Sequence, residues 1–197
     1  MKRVLFIDGS NLYAGQFELF GPNNYLNGDL FLIAIQKLLK TTFDQIFIYG
    51  SFSPIPKRPS KKAKLQIKNE GLFYKSIRRN SNVSFFKGYR SPSSGKEKEV
   101  DVKLAVDIVD KAHRNEYDEL YLLSGDADFM HALHIAKERR KKITILALPN
   151  RIPFRYLHHF ETIIFGNVKQ IKRHSTFSKK TKTQFIELDY SKLTEKC

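Results

Sequence analysis

Six short, largely apolar runs punctuate the chain, and longer helix-length stretches separate most of them. They are Val4 to Ile7, Ile46 to Tyr49, Val83 to Phe86, Glu119 to Ser124, Ile143 to Leu146 and Thr162 to Phe165. Runs that are apolar without alternation describe strands buried on both faces, as in a parallel sheet covered by helices. Helical patterns run from Asp29 to Lys40, Lys61 to Asn80, Glu99 to Arg114 and Phe129 to Arg140, and a short helix is expected over Pro153 to Phe160. Strands alternating with helices predict an α/β fold, a three-layer α/β/α sandwich around a mostly parallel central sheet. The Asp29 helix is expected to bury Leu30, Phe31, Ile33, Ala34, Leu38 and Leu39, and the Phe129 helix Phe129, Ala132, Leu133 and Ala136.

In such a sheet the carboxyl ends of the strands share one edge, where ligands bind. Tyr121-Leu122-Leu123-Ser124-Gly125-Asp126-Ala127-Asp128-Phe129 stops a strand at a glycine and delivers two carboxylates there. The first strand ends in Asp8-Gly9-Ser10-Asn11, which also reads as an ordinary strand-to-helix turn. On a wheel with Leu104 at zero, Val102, Ala105, Ile108, Val109 and Ala112 fall in one arc from about 40° to 160°. Asp101 falls at about 60°, inside that arc, whereas Asp107 and Asp110 fall on the polar side. An acid aimed inward at a helix start is a cap, half of a pair, or a metal ligand. Asp8, Asp101, Asp126 and Asp128 can therefore meet at one edge. Carboxylates without histidine or thiolate suit Mg²⁺ or Mn²⁺, which take oxygen ligands. His131 and His134 lie away from their helix's core and are expected at the surface.

Charge indicates the partner. With 35 Lys+Arg against 20 Asp+Glu, the chain carries +15, which favours polyanions and above all nucleic acid. Lys61, Lys62, Arg78 and Arg79 of the basic helix, together with Lys98, are the expected phosphate contacts, although most such runs are only a solvated face. The single cysteine, Cys197, excludes a disulfide framework within one chain. No stretch is long and apolar enough for a membrane span, and the expected setting is cytoplasmic. The sequence leaves room for a homodimer. From Lys169 the character changes to Lys169, Lys172, Arg173, Lys179, Lys180 and Lys182 with few apolar residues, although Phe185-Ile186-Glu187-Leu188 could still form a strand or hairpin arm. The expected division is a domain over residues 1–168 and a basic tail or small appendage over 169–197.

Three motifs, in order, resemble the NYN domain, and more closely its LabA-like (DUF88) branch within the PIN-like nuclease superfamily. They are Phe6-Ile7-Asp8-Gly9-Ser10-Asn11-Leu12, then Lys98-Glu99-Val100-Asp101-Val102 with Leu104 and Asp107, then Ser124-Gly125-Asp126-Ala127-Asp128-Phe129. The resemblance covers residues 3 to 168. It implies a metal-dependent ribonuclease, an endoribonuclease acting on single-stranded or structured RNA. Asp8, Asp101, Asp126 and Asp128 would be the acidic cluster, and Asn11 the polar residue that orients the first acid or the substrate. Ser124 would sit beside the metal, and Ser10 and Ser124 join the expected substrate-binding set. Glu99 departs from the pattern, since that branch often has glycine there, and the basic tail has no family counterpart. The alternative is an RNA-binding regulatory module that uses the same basic surface without catalysis. A phosphatase with paired acids two residues apart is disfavoured by Ser10, and no glycine fingerprint for a dinucleotide follows a strand.

Overall fold

The computed structural model describes residues 1–79, 81–91, 97–166 and 181–197. A seven-stranded sheet, parallel at every pairing, forms its centre. In chain order the elements are β1 (Arg3–Asp8), α1 (Gly9–Phe20), β2 (Asn24–Leu26), α2 (Gly28–Leu39), β3 (Gln45–Gly50), α3 (Lys61–Ile77), β4 (Val83–Lys87), β5 (Tyr89–Arg90), β6 (Glu97–Lys98), α4 (Val100–His113), β7 (Glu119–Leu123), α5 (Met130–Glu138), β8 (Lys142–Ala147), β9 (Glu161–Gly166), β10 (Thr183–Glu187) and β11 (Thr194–Lys196). The sheet runs β10-β9-β8-β7-β1-β3-β4. Beyond it, β5 pairs with β6 and β2 with β11, both antiparallel.

Alternation along β1 divides the core in two. Leu5 and Ile7 face the layer that carries Leu12 of α1, Phe31 and Ile35 of α2, and Phe73 and Tyr74 of α3. Val4 and Phe6 face Leu104 and Ile108 of α4 and Leu133 and Ala136 of α5. Side chains repeat every second residue on a strand, so Asp8 shares the side of Val4 and Phe6 and points toward the α4–α5 layer. The expected α/β/α sandwich is the observed one.

Two helix faces differ from expectation. In α2 the buried stripe is Phe31, Leu32 and Ile35, while Leu30, Ile33 and Leu38 reach solvent. The helix is turned by its close approach to α3: a Cβ on Gly28 would meet the Ile77 side chain at 2.4 Å. Over Pro153 to Phe160 there is no continuous helix but successive turns, Tyr156 N–H to Pro153 O (2.9 Å) and His159 N–H to Tyr156 O (2.9 Å) among them. Burial of Tyr156, Leu157 and Phe160 sets that path more than helix periodicity does.

Of the segment expected to be a tail, Lys169, Lys172, Arg173, Lys179 and Lys180 lie outside the described residues. Residues 183–197 are integrated into the fold. β10 is an edge strand of the main sheet, and β11 clasps β2, where Tyr25 and Asn27 both donate to the Glu195 carboxylate. Leu188 and Leu193 are buried in the α1–α3 core. Leu193→Ala should therefore cost about 2–4 kcal/mol in denaturant unfolding. A loose appendage would give less than about 0.5 kcal/mol.

Candidate active site

The switch in strand order falls between β1 and β7. Chain leaving β1 passes to α1 on one face, and chain leaving β7 passes to α5 on the other. A crevice opens at such a point, outside the carboxyl ends of the strands. Pairing sets Ile7 beside Leu123, so the next residues, Asp8 and Ser124, arrive level with each other.

Asp8 is 3% exposed and caps α1: its Oδ1 accepts the Asn11 N–H at 2.9 Å. Its Oδ2 accepts the Ser124 hydroxyl at 2.8 Å. Gly9 makes the turn fit, because a Cβ there would stand 2.6 Å from the Tyr49 carbonyl oxygen on β3. Asn11 ties the two strand ends together, its Oδ1 accepting the Gly125 N–H at 3.1 Å. Ser124 Oγ in turn accepts the Asp126 N–H at 3.0 Å, and Asp126 Oδ1 accepts the Asp128 N–H at 3.1 Å. The Tyr156 hydroxyl donates to the Asp126 carbonyl oxygen. The result is a chain of hydrogen bonds from Asp128 through Asp126 and Ser124 to Asp8.

Burial pushes the Asp8 carboxyl up to about 7. The bonds from Asn11 and Ser124 pull against that shift, and the neighbouring charges of Asp101 and Asp126 add to it. Asp101 stands in the first turn of α4, exposed to solvent. It makes no capping bond and no ion pair among the described residues, and Glu99, the residue at the cap position, makes no side-chain cap either. Its carboxyl is also raised, by partial burial first and then by Glu97, Asp126 and Asp128.

The α4 wheel needs a correction. The buried stripe is Val100, Leu104, Ile108 and Ala112, rotated roughly 80° from the expected arc, and Val102 is 68% exposed. Asp107 is no plain surface acid: it accepts the Lys103 ammonium at 2.5 Å within α4, and the Tyr49 hydroxyl at 2.7 Å, a bond that ties the helix to β3. Asp101 remains on the sheet-facing side but lies in the turn beyond the strand ends, and so faces the crevice and not the core.

The sequence reading missed Glu97. On β6, its carboxylate accepts the hydroxyls of Ser10 and Ser51, and Arg90 lies 3.6 Å away. Ser10 is thereby engaged with Glu97. The only sequence signal was an acid in a Lys-Glu-Lys run close to the Asp101 motif. Lys98 is exposed on the same short strand, and Lys61 and Lys62 open α3, which follows the carboxyl end of β3. Arg78 and Arg79 follow the other end of α3, about 25 Å along its axis. There Arg78 lies over the Phe85 ring at 5.2 Å. His131 is exposed, and the half-buried His134 packs edge-on against His159 at 5.5 Å.

The donor set suits a hard divalent cation: carboxylates only, with the charges of Asp101 and Asp126 raising Asp8 and those of Asp126 and Asp128 raising Asp101, and with no Lys or Arg paired to Asp8, Asp101, Asp126 or Asp128 among the described residues. Among those residues no three His, Cys, Asp or Glu side chains are already gathered tightly enough to hold a metal ion.

A family model of the NYN domain matches residues 2–184. The chain belongs to the NYN domain family. NYN domains form part of the PIN-like nuclease superfamily, whose substrates are nucleic acids and whose members typically use divalent metals. The matched region runs into β10. The fold is similar to the crystal structure of a protein of unknown function from Vibrio parahaemolyticus, with a TM-score of 0.51 and 16% identity over 95% of this chain and 93% of that one. No curated protein matches the chain. Among the described residues no helix of this NYN protein is long and apolar enough to cross a membrane.

Asp8 makes the site costly without a cation. Its folded pKa lies above that of an unfolded carboxyl, so the folded state binds the extra proton and loses stability as pH rises from about 4 through about 7. Asp8→Asn should therefore raise the Tm of the metal-free protein at pH 8 and change it little at pH 4. Equal shifts at both pH values would show that Asp8 carries no such penalty.

Proposed function

We propose that this NYN protein, of the LabA-like branch, is a metal-dependent endoribonuclease that hydrolyses RNA phosphodiester bonds with Mg²⁺ or Mn²⁺. The supporting observation is the group Asp8, Asp101, Asp126 and Asp128. Among the described residues these four carboxylates share one crevice without a paired cation, in a chain that carries +15 overall. Cations were available to neutralise them, and the described residues use none.

In this reading Asp8, Asp101 and Asp126 hold the ion, and Asp128 holds it or one of its waters. A bound ion there supplies a water of lowered pKa and a Lewis acid for the phosphoryl oxygens. The chain's own residues fix the geometry. Ser124 and the Asn11 N–H leave Asp8 one orientation, and Asn11 locks the β1 and β7 turns together through Gly125. Lys98, Lys61 and Lys62, on the carboxyl-edge side, are the phosphate contacts that orient the RNA backbone.

Cleavage of a labelled mixed-sequence RNA should need Mn²⁺ or Mg²⁺, stop in EDTA, and fall on the order of 100-fold in Asp126→Asn and Asp101→Asn. RNA that is bound but left intact by the wild type under every condition would assign the protein instead to non-catalytic RNA binding. Ser124→Ala, which frees Asp8 to rotate, should weaken Mn²⁺ binding by about 10–100-fold in calorimetry while the far-UV spectrum is unchanged. Unaltered affinity would remove Ser124 from the positioning role.

A further inference from the structure

At the opposite edge of the sheet, where the strands begin, the structure holds a second polar cleft of about 600 Å³. Lys137 reaches it from the end of α5, Lys141 and Lys142 from the turn into β8, and Lys182 from the approach to β10. Glu161 is the acidic residue in its lining. Lys142 is already matched, its ammonium donating to Glu119 at 3.1 Å. Lys141 is different. It is 8% exposed, and its ammonium donates to the neutral Asn115 Oδ1 at 3.0 Å and lies 5.7 Å from the centre of the Tyr117 ring. A charge this buried, held by a neutral acceptor and a ring face, is pre-positioned with much of its hydration already removed. Lys137 lies over the Phe160 ring at 5.6 Å, which likewise confines it.

Lys137, Lys141 and Lys182 thus line one cleft in which Glu161 is the acidic residue, and Thr183 and Gln184 line it beside them. Like charges gathered from three elements repel one another, and an anion relieves that repulsion. We infer that this cleft is an anchoring site for the RNA phosphodiester backbone, separate from the acidic crevice. The inference rests on the reading of the protein as RNA-binding. The two sites lie about 17 Å apart along β8, counting five residue steps. A long RNA can therefore occupy both, with its backbone held at the basic end and its scissile bond at the acidic end. A short oligonucleotide in the crevice does not reach the lysines.

The test uses Lys137→Gln/Lys182→Gln in the full chain; both side chains are exposed, so the fold is preserved. Binding of a long single-stranded RNA is measured in EDTA across a salt series. Loss of two phosphate contacts should reduce the slope of log affinity against log salt by about 1.4. Lys37→Gln/Lys196→Gln, which removes equal charge outside the cleft, should leave the slope near that of wild type. Cleavage of a short oligonucleotide should be the same in both variants. An unchanged slope in Lys137→Gln/Lys182→Gln, or an equal fall in both variants, overturns the anchoring site. Competition by a free mononucleotide, but not by long RNA, overturns it in favour of a nucleotide pocket. Because binding is read in EDTA, failure to cleave RNA defeats the proposed activity and leaves this result standing.

Discussion

A carboxylate kept out of water at the meeting of two strand ends sets the terms for the rest of this molecule. Asp8 is nearly inaccessible, yet among the described residues it accepts hydrogen bonds from only one backbone N–H and one hydroxyl. Those two bonds do not offset desolvation, which is why its carboxyl is pushed up to about 7. The partners depend on topology. Ser124 is available because β7 lies next to β1 in register, and Asn11 because α1 begins without a linker after β1. That abrupt start depends on Gly9, since any Cβ would run into the β3 backbone. One residue's solvation thus links strand order, register and a glycine.

Helix direction then sorts the charges. In a parallel α/β sheet each helix starts at the carboxyl edge and ends at the amino edge. The partial positive charge at helix starts therefore lies beside the acids, and the partial negative charge at helix ends beside the lysines. α1 starts on Asp8 and α4 starts one residue before Asp101. α5 ends beside Lys137, Lys141 and Lys142. A chain with a large positive excess can so maintain a carboxylate crevice at one edge and a cationic cleft at the other, about a strand length apart.

Legibility in the sequence followed the physics of each signal. The strands showed because both faces of the central ones are buried, which leaves uninterrupted runs such as Val4 to Ile7. Asp8, Asp126 and Asp128 showed because strand ends fall at one edge in any parallel sheet. Helix rotation was harder to read. Apolar residues on α2 and α4 exceed what the core can cover, so Leu30, Ile33 and Val102 looked equivalent to residues that are in fact buried. Tertiary contacts, Gly28 on Ile77 and Asp107 to Tyr49, chose among the faces. Glu97 was invisible because its role arises from Ser10 and Ser51, far away in sequence. A strand or hairpin arm was legible in Phe185 to Leu188, but the lysine-rich approach hid its place as β10 at the edge of the main sheet.

Glu99 shows how the site is held. It adopts a left-handed conformation, φ 73°, at the start of α4, where the resemblance to the LabA-like branch would place glycine. A side chain in that region costs roughly 1–2 kcal/mol and persists only where its surroundings leave no alternative. Both sides are fixed here. Before Glu99, β6 is paired to β5 and Glu97 is bound by Ser10 and Ser51. After it, Val100 is buried against Gly88, where an added Cβ would stand 2.2 Å from a Val100 methyl. The chain must turn between those anchors within one residue. That turn throws Asp101 past the end of the sheet, into the crevice above Asp8. The position of Asp101 is thus imposed by packing on either side, and the strain at Glu99 is its local cost.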